Sequence, residues 1–536
     1  MNSTFFGLEL SRRALESQQN ALNITGHNIA NANTQGYTRQ IANLTATTPQ
    51  SIPASGRSLS LGTGVTLDTV TRARDDFVDR QFRWETSKQQ YWAGKQDGLS
   101  KVEGMFNEPS DNSLSNDMNQ FWTAWSDLSK NPENMGARSV VRERAQTLTG
   151  SFQNTAQQIS NMTDNMEATI KVQIHQINVY GQQIKDLNDQ IKRAEVSGDN
   201  PNDLRDKRDA LVDDLSKLVS VRVVETKDPN FTDRNVNSFK VIIGNENSVN
   251  NTLADDSMVR LLEDPPSQNA GGFSRVVWSD DPNPANPTDV DLGTKLGALA
   301  ASIELRDQDL PRFRAQLDTL AQGIASAVNA LHQTGQGLTA EDLAGINFFT
   351  DGSNSPVLDA QGLPVVTAAT ITLNSVIELD VNRIATGTIP LDTSTNPATH
   401  VLDSGGNKLV TVGDGSIAQG ISSLSTGWDA LKSLIAAGKF GATGQNPVSA
   451  SSLGDYYGAN VAMMGVDVQQ ANRMKAGEDI LVANVTNQRE SFIGVSLDEE
   501  MTNLVKFQKS YSAAARMVTM MDDMLDTIIN RMGMTR

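Results

Sequence analysis

The sequence predicts a mainly α-helical protein with β-rich insertions, built from terminal coiled-coil helices, an elongated helical-bundle rod domain and an outer β-containing domain. Apolar residues recur every seven positions near both ends and again at Ile170, Ile177, Ile184 and Ile191, which is the spacing of helices that share a seam. Two inner stretches, 221–292 and 346–412, change to alternation or to Thr-, Gly- and Asn-rich composition, as strands and turns do.

From about Thr4 to Ala32 the spacing of Leu8, Leu15, Leu22 and Ile29, with Ala14 and Ala21 beside them, predicts an amphipathic helix. Gly36 suits a left-handed stop after it, and Pro49, Pro53 and Gly56 mark extended or turning chain. From Gly136 to Ser220 the isoleucine stripe has companions at Tyr180, Leu187 and Ala194. It breaks at Ser197-Gly198-Asp199-Asn200-Pro201 and resumes through Leu204, Leu211, Leu215 and Leu218, which predicts two antiparallel helices joined by a short loop. Residues 296–332 return to helix, with Pro311 as a kink or restart, and Gly415 to Arg489 is mostly helical.

The C-terminal helix is the clearest element. Ser496 and Glu499 fit a capping box, in which each side chain can satisfy the other residue's backbone N–H. Leu504, Phe507, Tyr511, Ala514, Val518, Met521, Leu525, Ile528 and Met532 then keep one heptad register up to Gly533. These elements group into a terminal assembly domain (1–70 and 497–536), a helical rod (71–220, 293–340 and 415–496) and a β-rich outer domain (221–292 and 341–414).

At 536 residues the chain is long enough for several cores. It lacks a run of roughly 18 apolar residues that could span a membrane, and its N-terminus has no signal-peptide pattern. The net charge of −18 argues against a general nucleic-acid binder. That charge lies in the middle. Residues 1–50 set Arg12, Arg13 and Arg39 against Glu9 and Glu16, and from 497 onward basic and acidic residues nearly cancel. Near-neutral ends suit packing together, and an acidic body suits water. Ordering two long helices costs more conformational entropy than one shared apolar seam offsets, so both ends are expected to be largely disordered in the free monomer and to fold when copies stack. Protease digestion of the free monomer tests that expectation, since ends as resistant as the body would sink it.

Cysteine is absent, which excludes disulfides and thiolate chemistry. His27, His175, His332 and His400 lie too far apart in sequence for a zinc motif, and no phosphate-binding loop or nucleophile elbow occurs. Asp351-Gly352-Ser353-Asn354-Ser355 reads as a plain turn, because a calcium loop would need alternate acidic ligands and a closing Glu where Gly362 stands. Asp498, Glu499 and Glu500 are explained by the positive end of a helix. The methionines from Met517 to Met534 suit adaptable packing. Asn28, Asn31, Asn33 and Tyr37 either close the helix end or contact neighbouring copies.

The string Thr25-Gly26-His27-Asn28-Ile29-Ala30-Asn31-Ala32-Asn33-Thr34-Gln35-Gly36-Tyr37-Thr38-Arg39-Gln40 resembles the signature of bacterial flagellar rod, hook and hook-associated proteins. Asn487-Gln488-Arg489-Glu490-Ser491, Gly494-Val495-Ser496-Leu497-Asp498-Glu499-Glu500 and Tyr511-Ser512-Ala513-Ala514-Ala515-Arg516 look like the hook-associated family at the hook–filament junction, on the side of the first of its two junction proteins. The middle is similar too, at Pro201-Asn202-Asp203-Leu204, Lys207-Arg208-Asp209-Ala210-Leu211-Val212, Leu296-Gly297-Ala298-Leu299 and Arg306-Asp307-Gln308-Asp309-Leu310, and is weak in the β-like insertions. Ile493, Met501 and Thr502 depart from the small residues common there.

The resemblance implies a structural, non-enzymatic role without cofactor or metal. It implies export unfolded through the flagellar type III pathway, a dedicated chaperone on the C-terminal helix, and a ring of about eleven subunits between hook and filament, with the hook protein and the second junction protein as partners. The assembly residues would be those of the two seams, with Asn28, Asn31, Asn33, Gly36, Tyr37 and Arg39. The competing classes are the hook protein or another axial protein, a secreted effector whose ends meet a membrane, and a carbohydrate-active enzyme using the acidic middle. Liposome flotation tests the effector and peptidoglycan hydrolysis tests the enzyme. The near-neutral ends lack the basic polar face of an interfacial helix.

Overall fold

The computed structural model describes residues 5–54, 57–231, 236–245, 251–263, 273–282, 288–338, 345–353, 364–389, 391–392, 399–401, 412–426 and 452–527. Among them the chain is mainly α with small antiparallel sheets. Helix α1 covers Phe6–Ala30. The chain leaves it through Gly36, whose φ of 77° is the left-handed conformation a glycine adopts without a Cβ penalty. It then runs out and back through β1 (Gln40–Ala46), β2 (Gln50–Ala54), β3 (Arg57–Leu61) and β4 (Val65–Arg72), with β1 on β4 and β2 on β3. The terminal unit is therefore not all helix. The strands lie against α1, where Ser17 Oγ donates to the Val65 carbonyl at 3.1 Å.

Helices α2 (Asp76–Phe106), α3 (Leu114–Lys130), α4 (Met135–Val196) and α5 (Asn202–Leu218) follow. The Asp75, Ser113 and Asn134 side chains cap the first three, accepting from backbone N–H groups that have no partner within the helix. At 62 residues α4 is about 90 Å long. Strands β5 (Val221–Lys227), β6 (Asn237–Ile243) and β7 (Thr252–Ala254) form one antiparallel sheet in that order, with β8 (Leu262–Glu263) and β9 (Val277–Trp278) as a separate pair. Helix α6 (Gly297–Glu304) passes through a π-helical turn, Leu305–Asp309, into α7 (Leu310–His332). Pro311, at the start of α7, removes one helix hydrogen bond, and the π-helical turn lies immediately before it.

The second stretch expected to be β-rich is thinner in strand. Its described residues hold α8 (Ser375–Leu379) and two-residue ladders such as Phe349–Thr350 on Thr372–Leu373. Asp351 Oδ1 accepts from the Ser353 backbone and hydroxyl, a local turn, while 354–363 lie outside the described residues. Helices α9 (Ser416–Ser423), α10 (Leu453–Ile493) and α11 (Leu497–Asp526) complete the fold. Helix α10 packs along α2, and α11 along α1.

Two apolar cores result among the described residues. One gathers the ends of α2 and α10, α3, the first half of α4, α7 and the 348–385 segment around Phe121, Trp125, Phe152, Phe348 and Phe349. Within it His332 is 1% exposed, its Nδ1 bonded to the Ile346 carbonyl at 2.7 Å and its Nε2 accepting from Ala385 N–H at 2.9 Å. That arrangement needs the neutral ring, and burial pushes its pKa down to about 4. The other core lies under the β5–β7 sheet, where Ile170, Ile177 and Ile184 meet Phe239, Val241, Ile243 and Leu253. The isoleucine stripe of α4 is thus covered by this chain's own sheet and by α5. Arg208 on α5 bonds Asn188 on α4 at 3.0 Å, while Arg205 reaches Glu195 at 2.6 Å, so the two helices run antiparallel as expected.

Candidate assembly interface

The two ends of the chain meet as an antiparallel helix pair. Met521 on α11 lies against Gly7, where an added Cβ would stand 2.6 Å from the methionine Cε. At the other end of the pair Asn28 Nδ2 donates to Glu500 Oε2 at 3.2 Å. Only one face of each helix is used. On α1 the fully buried residues are Ser11, Ser17, Ala21, Thr25 and Asn28, small or polar groups that admit close approach, whereas Leu8, Leu15, Leu22 and Ile29 are half-buried. On α11 Leu504, Phe507, Val518, Met521 and Leu525 are half-buried and Tyr511 is exposed; Ile528 lies outside the described residues. Glu500 alone among the described residues of α11 is buried, while Met501, Val505, Met517, Met520 and Met524 face solvent.

Ser496 caps α11, accepting from Glu499 N–H at 3.4 Å. The Glu499 carboxylate pairs with Arg39 at 2.7 Å. The loop after α1 is a fastening. Asn28 Oδ1 accepts from Tyr37 Oη at 2.7 Å and Gln40 N–H at 3.0 Å, and its Nδ2 donates to the Gln40 carbonyl at 2.9 Å. With Glu500 this uses the whole amide, as a buried Asn requires. Burial, followed by the nearby Asp203, pushes the Tyr37 phenol up, so it stays a donor. Thr38 N–H donates to Asp206 on α5 at 2.9 Å, and Arg39 N–H to the Ile493 carbonyl at 3.0 Å. Arg39 also reaches Glu500 at 2.8 Å. Asn31 closes the helix locally, with Nδ2 on the His27 carbonyl at 3.0 Å, and Asn33 is exposed.

Below this loop lies a buried charged node. Asp209 on α5 receives Arg72 and Arg74 from the end of β4, both at 2.7 Å, and Arg83 from α2 at 3.6 Å. Arg83 also pairs with Asp213, which Arg489 of α10 reaches at 2.6 Å while holding Asp79 of α2 at 2.7 Å. Arg74 closes the circuit on Asp79. Burial opposes ionisation of Asp209, but Arg74, Arg72 and Arg83 together hold its carboxyl well below the usual range. Terminal hairpin, α2, α5 and α10 thus share one ionic knot. None of these arginines was expected to carry it. The signal was present, because Asp206, Asp209 and Asp213 fall on one helical face at three- and four-residue steps.

Among the described residues no group of three or more His, Asp or Glu side chains could hold a metal ion, and no helix is long and apolar enough to cross a membrane. The arrangement orients and fastens. It defines a structural protein whose paired ends are fastened to a helical rod by hydrogen bonds and ion pairs. Family models give that class its biological setting. Residues 8–38 match the flagella basal body rod protein model, 491–532 the flagellar basal body rod FlgEFG protein C-terminal model, and 99–349 the flagellar hook-associated protein FlgK helical domain. Flagellar hook-associated protein 1 of Bacillus subtilis is 30% identical over 99% of both chains. That of Escherichia coli is 27% identical over 96% of this chain and 98% of its own. The flagellar hook junction protein FlgK from Burkholderia pseudomallei has the same fold, with a TM-score of 0.59 at 16% identity over 77% of this chain and all of its own. The chain belongs to the flagellar hook-associated protein 1 family, and is a structural component of the bacterial flagellum at the hook–filament junction.

Proposed function

We propose that the protein forms a ring of about eleven copies between hook and filament, its paired terminal helices lining the inner tube and its acidic rod and β-containing domain outside. The observation that carries this reading is the incompleteness of the α1–α11 pair. Among the described residues a row of apolar side chains on α11 stays exposed, and packing between copies would cover it. The grouping of 1–70 with 497–536 as the assembly unit follows the same logic. Leu8, Leu15, Leu22 and Ile29 on α1 and the half-buried row of α11 are the contacts that neighbouring copies would complete, together with Asn33 and Tyr511.

Its partners in this reading are its own copies, the hook protein, the second junction protein and, before assembly, an export chaperone on the Met-rich face of α11. Export precedes folding of the ends, through the flagellar type III route. The role is mechanical and involves no catalysis, cofactor or metal. The ionic knot makes hairpin, α2, α5 and α10 turn as one body, so torque applied to the ends passes into the rod.

A strain lacking the gene should build hooks yet shed flagellin into the medium, and regain filaments and swimming on complementation. Filaments on the deletion strain's hooks, or loss of the hooks themselves, would overturn the junction role, the second outcome pointing to the hook protein.

A further inference from the structure

Beside the ionic knot is a cavity of about 390 Å³ between α2, α5 and the strands β5 and β6. Its lining includes Arg74, Arg80, Arg83 and Arg222 and the carboxylates Asp76, Asp79, Asp209 and Glu225. The carboxylates are largely engaged. Asp79 and Asp209 belong to the knot, and Glu225 takes Asn237 Nδ2 at 3.0 Å and Arg208 at 3.8 Å. Asp76 stands in the first turn of α2, where the helix dipole favours it.

The guanidinium groups are less well matched. Arg222, on β5, makes no side-chain hydrogen bond or ion pair among the described residues, although its Nε is buried. Arg74 is 9% exposed at its side chain and keeps a buried Nη2 without a hydrogen-bond partner among the described residues. Among the described residues Arg80 bonds only the Asp76 carbonyl, at 3.3 Å. Phe239 also lines the cavity, and behind it Arg208 stacks at 3.5 Å with Nε and Nη2 both buried and without a hydrogen bond. In a chain of net charge −18, this lining sets five arginines against four carboxylates, so cationic groups are in slight excess here. Planar forks of this kind suit carboxylate and oxyanion groups.

We propose that this cavity is an anion-binding site, which takes a carboxylate or a small oxyanion between Arg222, Arg80 and the free nitrogen of Arg74. The anion would bridge the β5–β6 sheet to the start of α2 and stiffen the base of the rod. Two sources carry this chemistry: a free oxyanion, or an acidic side chain of a second copy.

The test is isothermal titration of the full chain with sodium sulfate against sodium chloride at matched ionic strength, for the wild type and Arg222→Gln. Saturable sulfate binding by the wild type, weakened at least roughly tenfold in the variant, is the expected result, because a charge-assisted hydrogen bond is lost. Sulfate indistinguishable from chloride, or bound equally by both proteins, would overturn the proposal. So would a variant that fails to fold by circular dichroism, since Arg222 would then have a structural partner. Sedimentation velocity separates the sources. Dissociation of wild-type oligomers by sulfate assigns the anion to a second copy, and an unchanged profile assigns it to a free oxyanion; either supports the site.

Discussion

Replacing Asp209 by Asn removes the central anion of the ionic knot while keeping its shape. Three guanidinium groups lie around that carboxylate, at 2.7, 2.7 and 3.6 Å, on a residue 6% exposed. Breaking a buried pair from one side typically costs about 3–5 kcal/mol, because the remaining charge is left uncompensated. Here Arg72 keeps Asp206 at 2.8 Å and Arg83 keeps Asp213 at 2.7 Å, while the Asn carbonyl can still accept from one arginine, so about 3 kcal/mol is the expected loss. Urea denaturation followed by circular dichroism should show a midpoint lower by about 1 M, for a slope near 3 kcal/mol/M. Asp214→Asn is the control, since Asp214 pairs with Lys217 at the surface and its loss should stay within about 0.5 kcal/mol. The pH dependence supplies a second reading. A carboxyl held down in the folded state stabilises fully above its ordinary value of 3.8, and that contribution is lost as pH falls below it. Asp209→Asn should therefore flatten the acid limb of the stability curve. Equal midpoints for the two variants would refute the claim that buried charge, rather than shape, holds hairpin, α2 and α5 together.

His332 should make the rod acid-sensitive in a higher window. Its folded pKa of about 4 lies below the ordinary 6.5, so stability is full above 6.5 and falls with pH, by about 3 kcal/mol near pH 4; a His332→Asn variant should lose that slope in denaturation at stepped pH. Gly297→Ala should cost more than about 2 kcal/mol, because φ is 80° and the new Cβ would lie 2.4 Å from the Leu218 carbonyl oxygen, measurable by the same urea assay. Leu525→Asp should leave the helical spectrum of the rod intact but abolish filament attachment, since a charge on that half-buried seam costs about 2–3 kcal/mol per copy; normal swimming in soft agar would count against the assembly reading.

Helices with an apolar seam were legible as sequence. The α4 stripe, the α4–α5 turn at Ser197–Pro201 and the start of α11 at Ser496 all lie where spacing and capping chemistry put them. Helix α2 gave no such signal. Its buried face includes Asp79, Arg83, Thr86, Ser87 and Lys95, so hydrophobic periodicity is nearly absent from a helix that packs along α10 and meets α5. The same cause hid the ionic knot. A charged residue in a sequence reads as solvated, and it becomes a buried one only when Arg489 arrives beside Asp79 from 410 positions away. The heptads of α1 likewise identified a helix correctly while pointing to the leucines, whereas the face most deeply covered is the one of Ser11, Ala21, Thr25 and Asn28.

The sequence by itself determined the mainly helical class, the two packing ends, the acidic body and the family, because these depend on short-range spacing, composition and local motifs. Tertiary structure decided which partner each stripe received. The isoleucines of α4 took a sheet from their own chain, the signature loop took α5 and α11, and the arginines of the knot took carboxylates from α2 and α5. The physical reason is that a heptad specifies a buried face without naming what covers it, and a buried charge is tolerable only once distant parts of the chain supply its counter-charge.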